Sequence, residues 1–208
     1  MKRTAMRTPS VMRRQRGVTL IIVMLILVVV TVLGIGGAQI ALLGERSTRY
    51  DRDYLLASQS AEAALMDAEF DIRGPNTSTS KRVTTFAPEN GGYFVVGCGS
   101  DTATRGLCAP VAEGQKPVWT TVDFTDTSGS AHTAGFGDYT GRVFDNGNVG
   151  IKPVQAPRYI IEMVEDRCIG CNAAGPSAPK LYRVTAIGFG PRTDIQVVMQ
   201  IAFRKEKG

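Results

Sequence analysis

An α+β fold is predicted from this chain: one long N-terminal helix, with a transmembrane half and an amphipathic half, packed on a C-terminal antiparallel β-sheet. Three observations carry the prediction. No charged residue occurs between Arg16 and Glu45. After that gap, apolar residues recur at spacings of three and four as far as a Gly74-Pro75 break. Over the last fifty residues, apolar and polar side chains alternate in the period-two manner of strands.

The first element is a membrane span. Val18 to Leu33 holds only Val, Ile, Leu and Met apart from Thr19 and Thr31, and the run continues through Gly34 to Ala38. About 20 apolar residues suffice for a helix to cross the hydrocarbon core. Ahead of it lie Lys2, Arg3, Arg7, Arg13, Arg14 and Arg16 with no acid. The positive-inside bias therefore keeps residues 1–17 in the cytoplasm and exports everything beyond residues 18–38. Three readings fit such a start. A cleaved signal peptide would use Gly34-Ile35-Gly36 as its small-x-small site. A plain signal anchor is the second. The third rests on Gly17, a glycine placed before the apolar core and flanked by Arg16 and Val18. The string Arg-Gly-Val-Thr-Leu resembles the processing site of type IV prepilins. That resemblance implies cleavage after Gly17 on the cytoplasmic side and methylation of the new terminus at Val18.

The helix is expected to continue over residues 39–73. No proline interrupts Gln39 to Ile72, and Tyr50, Tyr54, Ala57, Ala61, Ala64, Leu65, Ala68 and Ile72 form one face. Arg49, Asp51, Arg52, Asp53, Gln59, Glu62, Asp67, Glu69 and Asp71 fill much of the rest. A dimeric coiled coil would want Leu, Ile or Val along its seam. Alanine and tyrosine suit packing against a sheet instead. Gly74 followed by Pro75 ends the helix, which as one element would be roughly 80 Å long.

The segment Leu55-Leu56-Ala57-Ser58-Gln59-Ser60-Ala61-Glu62-Ala63-Ala64-Leu65-Met66-Asp67-Ala68-Glu69, read with the basic leader and Gly17, resembles the PilX-type minor pilins. Leu181-Tyr182-Arg183-Val184-Thr185-Ala186-Ile187-Gly188-Phe189-Gly190 is similar to the closing strands of the same group. The likeness is close over residues 13–72 and looser over 158–203. It implies a pilin-like fold, no enzymatic activity, and a part in type IV pilus assembly within a tip or priming complex that supports twitching motility and adhesion. The implied partners are other minor pilins, the major pilin, the prepilin peptidase, the inner membrane and a pilus-tip adhesin. Two positions depart from the family pattern. The fifth residue after the cut is Ile22 where a major pilin has glutamate, and the first is Val18 where phenylalanine or methionine is commoner. Two other functions fit the residues: a type II secretion pseudopilin of the tip complex, or a membrane-anchored periplasmic binding or redox module.

Charge argues against one class of partner. The chain has 24 basic and 19 acidic residues, and without the six leader charges it is close to neutral. The exported part gains no support for direct nucleic-acid binding from this balance. Residues 74–208 form a β-rich domain. Asn76 to Lys81 reads as a loop, Gly92–Gly97 and Val118–Phe124 as short strands, and Thr125–Pro157 as mostly irregular surface loop. The clearest strands are Arg158–Asp166, with Tyr159, Ile161 and Met163 on one face, Lys180–Phe189, and a last strand with Ile195, Val197, Met199, Ile201 and Phe203 on one face. Such alternation predicts a half-buried antiparallel sheet whose apolar face receives the helix stripe.

Four cysteines fall into two local pairs, Cys98 with Cys108 and Cys168 with Cys171. In an oxidising compartment these read as structural disulfides, although four cysteines permit three pairings. The Cys168-Ile-Gly-Cys171 spacing is also that of a redox pair or half a zinc site, but it follows a strand and precedes a Gly/Pro-rich loop. The one histidine, His132, lies in a Gly/Ser/Thr-rich loop, and no nucleophile elbow, His-Glu-x-x-His motif or P-loop is present. Asp145-Asn146-Gly147-Asn148 reads as a tight turn because the other ligands of a calcium loop are missing. The expectation is no cofactor, no metal and no catalytic site.

Overall fold

The structure is a computed structural model that describes residues 17–87, 89–144, 150–166 and 180–205. The chain divides into two compact units, Met1–Arg49 and Tyr50–Gly208. Helix α1, Val18–Arg73, belongs to both. Its end is set by Gly74, which adopts a left-handed φ of 75° and donates its N–H to the Phe70 carbonyl at 2.7 Å. A side chain would be strained in that conformation, so glycine is the residue that stops a helix in this way.

In the second unit α1 lies on a five-stranded mixed sheet. Its strands are β1 (Leu107–Cys108), β2 (Ala134–Gly135), β3 (Arg158–Glu165), β4 (Lys180–Phe189) and β5 (Gln196–Phe203). The order is β1-β3-β4-β5, with β2 also on β3. Strands β3, β4 and β5 are antiparallel, with unbroken registers from Arg158↔Ile187 to Glu165↔Lys180 and from Tyr182↔Phe203 to Phe189↔Gln196. They are the three strands that alternation predicts. The two-residue β1 pairs parallel with β3, which the all-antiparallel expectation does not include.

The sheet carries a core on each face. Between sheet and helix lie Ala64, Leu65, Ala68 and Ile72 of α1 with Tyr159, Ile161, Tyr182, Val184 and Ala186, closed by Phe86 and Phe94. Farther along, Ala57 and Ala61 pack on Ile195 and Val197. The other face holds Ile160, Ile187 and Phe189 under Cys98, Cys108, Val118 and Phe124. The expected half-buried sheet is therefore corrected for β3 and β4: loop segments cover the face that should meet water. Two expected strands are turns instead, and of these only Val118–Phe124 supplies part of that cover, Phe94 lying in the core on the helix side. Gly91–Tyr93 and Val118–Thr120 are single 3-10 turns. Val118 is buried without a ladder, so its apolar side chain reports burial and not extended backbone. The described residues of 125–157 are mainly irregular, as expected, but contribute β2.

Helix and sheet approach closely at one place. A Cβ on Gly188 of β4 would stand 2.1 Å from the Ala57 carbonyl oxygen and 2.3 Å from the Ala61 nitrogen. Only glycine opposite alanine permits that spacing, which explains why the stripe is built from the smallest apolar side chains.

Candidate functional site

In the first unit, the residues singled out by sequence stand at the start of α1. Gly17 precedes the helix with φ +20°, and Val18 is its first residue. No acid lies in the first turn, and Ile22 is 53% exposed. From Val18 to Leu43 the large apolar side chains all point into open space, and this stretch is long and apolar enough to cross a membrane. Its polar atoms are satisfied locally where a partner is seen: the Thr31 hydroxyl donates to the Val28 carbonyl at 2.8 Å. Such local bonding is what a lipid-facing helix requires. Around Gly34, Gly36 and Gly37 nothing lies within 4 Å of where a Cβ would be. Residues 1–16 of the basic leader lie outside the described residues.

The second unit holds a polar core that sequence reasoning misplaced. Asp67 and Asp71, assigned above to the polar side of the helix, are both fully buried. Asp71 accepts from Arg82 Nε at 3.0 Å, from Arg82 Nη2 at 2.7 Å and from the Tyr159 hydroxyl at 3.1 Å. Arg82 also donates to the Arg105 carbonyl at 2.6 Å and lies over the Tyr139 ring at 3.5 Å. Burial pushes the Asp71 carboxyl up, against the pull of the Arg82 guanidinium. Burial acts to lower the Arg82 value, yet Asp71 outweighs it and holds the guanidinium above its usual range. The Tyr159 hydroxyl is pushed well up by burial and then by the neighbouring Asp71 charge. Asp67 accepts from the Gly137 N–H at 2.8 Å and the Thr140 hydroxyl at 2.5 Å; burial raises its carboxyl, and these bonds oppose the rise. The signal was in the helical phase. Asp71 lies seven residues, two turns, beyond Ala64 and so falls on the alanine stripe. Tyr50 and Tyr54, placed on that stripe, are 58% and 49% exposed because the sheet does not reach them.

A further buried acid, Glu162 on β3, is held by Arg183 of β4 at 2.7 and 2.9 Å, on the sheet face away from the helix. Cys98 and Cys108 form a disulfide, with both residues buried in the outer core. Cys168 and Cys171 lie outside the described residues, as does the stretch Asp145-Asn146-Gly147-Asn148 expected to form a tight turn. His132 is exposed, its Nδ1 at 2.6 Å from the Cys98 carbonyl oxygen. Among the described residues no group of three or more His, Cys, Asp or Glu is placed to hold a metal ion. The ionic residues lock elements together: Asp71 ties α1 to the loop at Arg82 and to β3, and Asp67 ties α1 to the 137–140 turn.

A helix with an exposed apolar first half, whose second half docks across a sheet of antiparallel strands, defines a pilin-like subunit. Two family models then specify which kind. The PilX N-terminal model matches residues 16–65, and the model for the type IV pilus assembly protein PilX C-terminal region matches residues 104–205. The chain belongs to the PilX-type minor pilins, a structural family of type IV pilus assembly. No curated protein and no solved structure matches it. The stretch 66–103 between the two matched segments contains Asp67, Asp71, Arg82 and Cys98, whose partners Arg105, Cys108, Tyr139, Thr140 and Tyr159 fall inside the second.

Proposed function

We propose that this minor pilin inserts in the inner membrane with residues 1–17 cytoplasmic and the domain beyond the span periplasmic. It is cut after Gly17 by the prepilin peptidase, methylated at Val18, and joins a tip complex that primes pilus assembly. There it contacts other minor pilins, the first major pilin and a tip adhesin, and ends at the pilus tip or cell surface, supporting twitching motility and adhesion. One observation supports the tip position above the rest. No acid occurs between Val18 and Gly44, and Ile22 occupies the fifth position of the mature chain. A cationic amine enclosed in lipid or a filament core without a partner is costly. A subunit without that carboxylate cannot neutralise the terminus of a subunit placed beyond it, so the leading end is where its absence costs least.

The experiment is immunogold labelling of sheared pili, paired with terminal mass analysis of the chain they contain. Label confined to one end and a methylated Val18 terminus are expected. Label along the whole shaft would contradict the tip position. An intact leader, or a terminus near Ala38, would sink the processing step.

A further inference from the structure

The open edge of the sheet is the surface that the fold leaves unexplained. Strand β5 ends the order β1-β3-β4-β5. Among the described residues its only ladder partner is β4, and no other element gives or takes a backbone hydrogen bond at 196–203. Alternate residues of an antiparallel edge strand direct their N–H and C=O groups away from the sheet. A row of unpaired groups of this kind recruits another strand unless something prevents it. Among the described residues none of the usual guards is present on β5. Its eight residues, Gln196-Val197-Val198-Met199-Gln200-Ile201-Ala202-Phe203, include no charge and no proline. Its register with β4 runs without a bulge from Gln196 to Phe203. The opposite edge is different: β1 is two residues long, and Val95 bridges to Cys108 beside it.

The side chains describe the missing neighbour. On the helix side, Val197 is buried, but Met199, Ile201 and Phe203 are only partly covered, because the sheet stops beside them. On the other side Val198 is 40% exposed, next to the exposed Gln196, Gln200 and Ala202. An occupant must therefore offer extended backbone to the edge, apolar side chains at alternate positions to cover the Met199–Phe203 row, and no charge opposite an uncharged strand. Helical or headgroup partners could not satisfy the backbone row. An extended peptide does, and membership in a filament-building family places other subunits beside this one.

We propose that the outer edge of β5 is an assembly surface that takes an extended, uncharged segment of a neighbouring pilus subunit as an additional strand. The proposal rests on the pilus-subunit reading above but not on the tip position. To test it, a photo-cross-linking amino acid replaces Gln196 in the full-length chain in piliated cells, and adducts are identified in the sheared-pilus fraction by peptide mass analysis. The expected product joins residue 196 to an uncharged, apolar-alternating segment of another subunit. Adding Val198→Lys and Gln200→Lys, both at exposed positions, should lower its yield at least tenfold while processing and membrane level of the chain stay unchanged. A probe at Gln59 on the exposed helix surface should keep its own adducts in that variant. Adducts confined to the same chain, adducts to a helix of the partner, or yield unaffected by the lysines would overturn the proposal. If the chain is absent from sheared pili, the subunit reading itself fails, and adducts to a protein outside the pilus overturn the partner named here.

Discussion

Glycine and alanine do opposite things in the two halves of α1. Near Gly34, Gly36 and Gly37 the space beside the backbone is open, while large apolar side chains from Val18 to Leu43 face outward on every side. Between Ala57 and Ile72 the arrangement reverses. The buried positions are mostly alanine, serine and aspartate, and β4 at Gly188 comes so near the helix that an added Cβ would stand 2.1 Å from the Ala57 carbonyl oxygen. The first half is selected by the environment it must dissolve in, and the second by how near its neighbour must come. Total hydrophobicity therefore says little about burial in this helix. Leu20 and Ile21 are exposed within it, and Asp67 and Asp71 are not.

If that contrast is right, breaking a buried charge in the second half should have the largest effect. Arg82→Met leaves Asp71 buried without its cation, a change that costs about 3–5 kcal/mol in comparable pairs. Urea unfolding of the detergent-solubilised chain should show the loss, and the double variant Asp71→Leu with Arg82→Met should recover much of it. Equal destabilisation by single and double variants would mean that packing, not the uncompensated charge, dominates. A charge placed in the first half should do the converse. Val29→Asp puts a carboxylate near the middle of the apolar run and disfavours insertion by roughly 2.5–3.5 kcal/mol. Membrane fractionation should detect the drop, and the unfolding transition of the second unit should not move.

The close approach is tested by Gly188→Ala. The nearest atoms to the new methyl are backbone atoms of Ala57 and Ala61, which cannot swing aside as a side-chain tip would. Overpacking of this sort costs typically 1–3 kcal/mol. The same Gly→Ala change at Gly36, where space is open, should leave the unfolding transition of the second unit in place. Similar losses at both sites would erase the distinction between the halves.

Legibility followed the range of the interactions. The helix, its glycine stop and strands β3 to β5 follow from period and local chemistry, so their positions were readable. The strings around Gly17 and Ile22 are equally local. Strands β1 and β2, two residues each, exist because β3 lies beside them, and nothing within Leu107-Cys108 or Ala134-Gly135 announces that. Val118–Phe124 carries strand composition yet folds as a turn with an irregular tail, because covering the outer sheet face needs apolar side chains but no ladder. The buried acids were missed for a related reason. A carboxylate on a helix reads as solvent-facing until its partner is known, and Arg82, Tyr159, Gly137 and Thr140 are supplied by distant chain.

The smallest expected effect concerns Asp67, the buried acid without a direct cation among its hydrogen-bond partners. Burial, opposed by Gly137 and Thr140, holds its folded carboxyl above the ordinary value of 3.8. The folded state then binds the proton more tightly than the unfolded chain. Its contribution is fully present below the unfolded value and declines as pH rises through the folded one. Asp67→Asn removes that titration. Its amide still accepts from the Gly137 N–H, and the Thr140 hydroxyl can rotate to accept from the new amide donor, so the pH-independent cost should be about 1 kcal/mol or less. Relative to the parent, the variant should therefore gain stability as pH rises above the ordinary carboxylate value, measured by urea unfolding over a pH series at constant ionic strength. A constant gap would mean that folding does not shift the Asp67 carboxyl over that series. A gap that widens in favour of aspartate as pH rises would show that Asp67 is held as a stabilised carboxylate. The second half of α1 would then bury its charge at no cost that titration can detect.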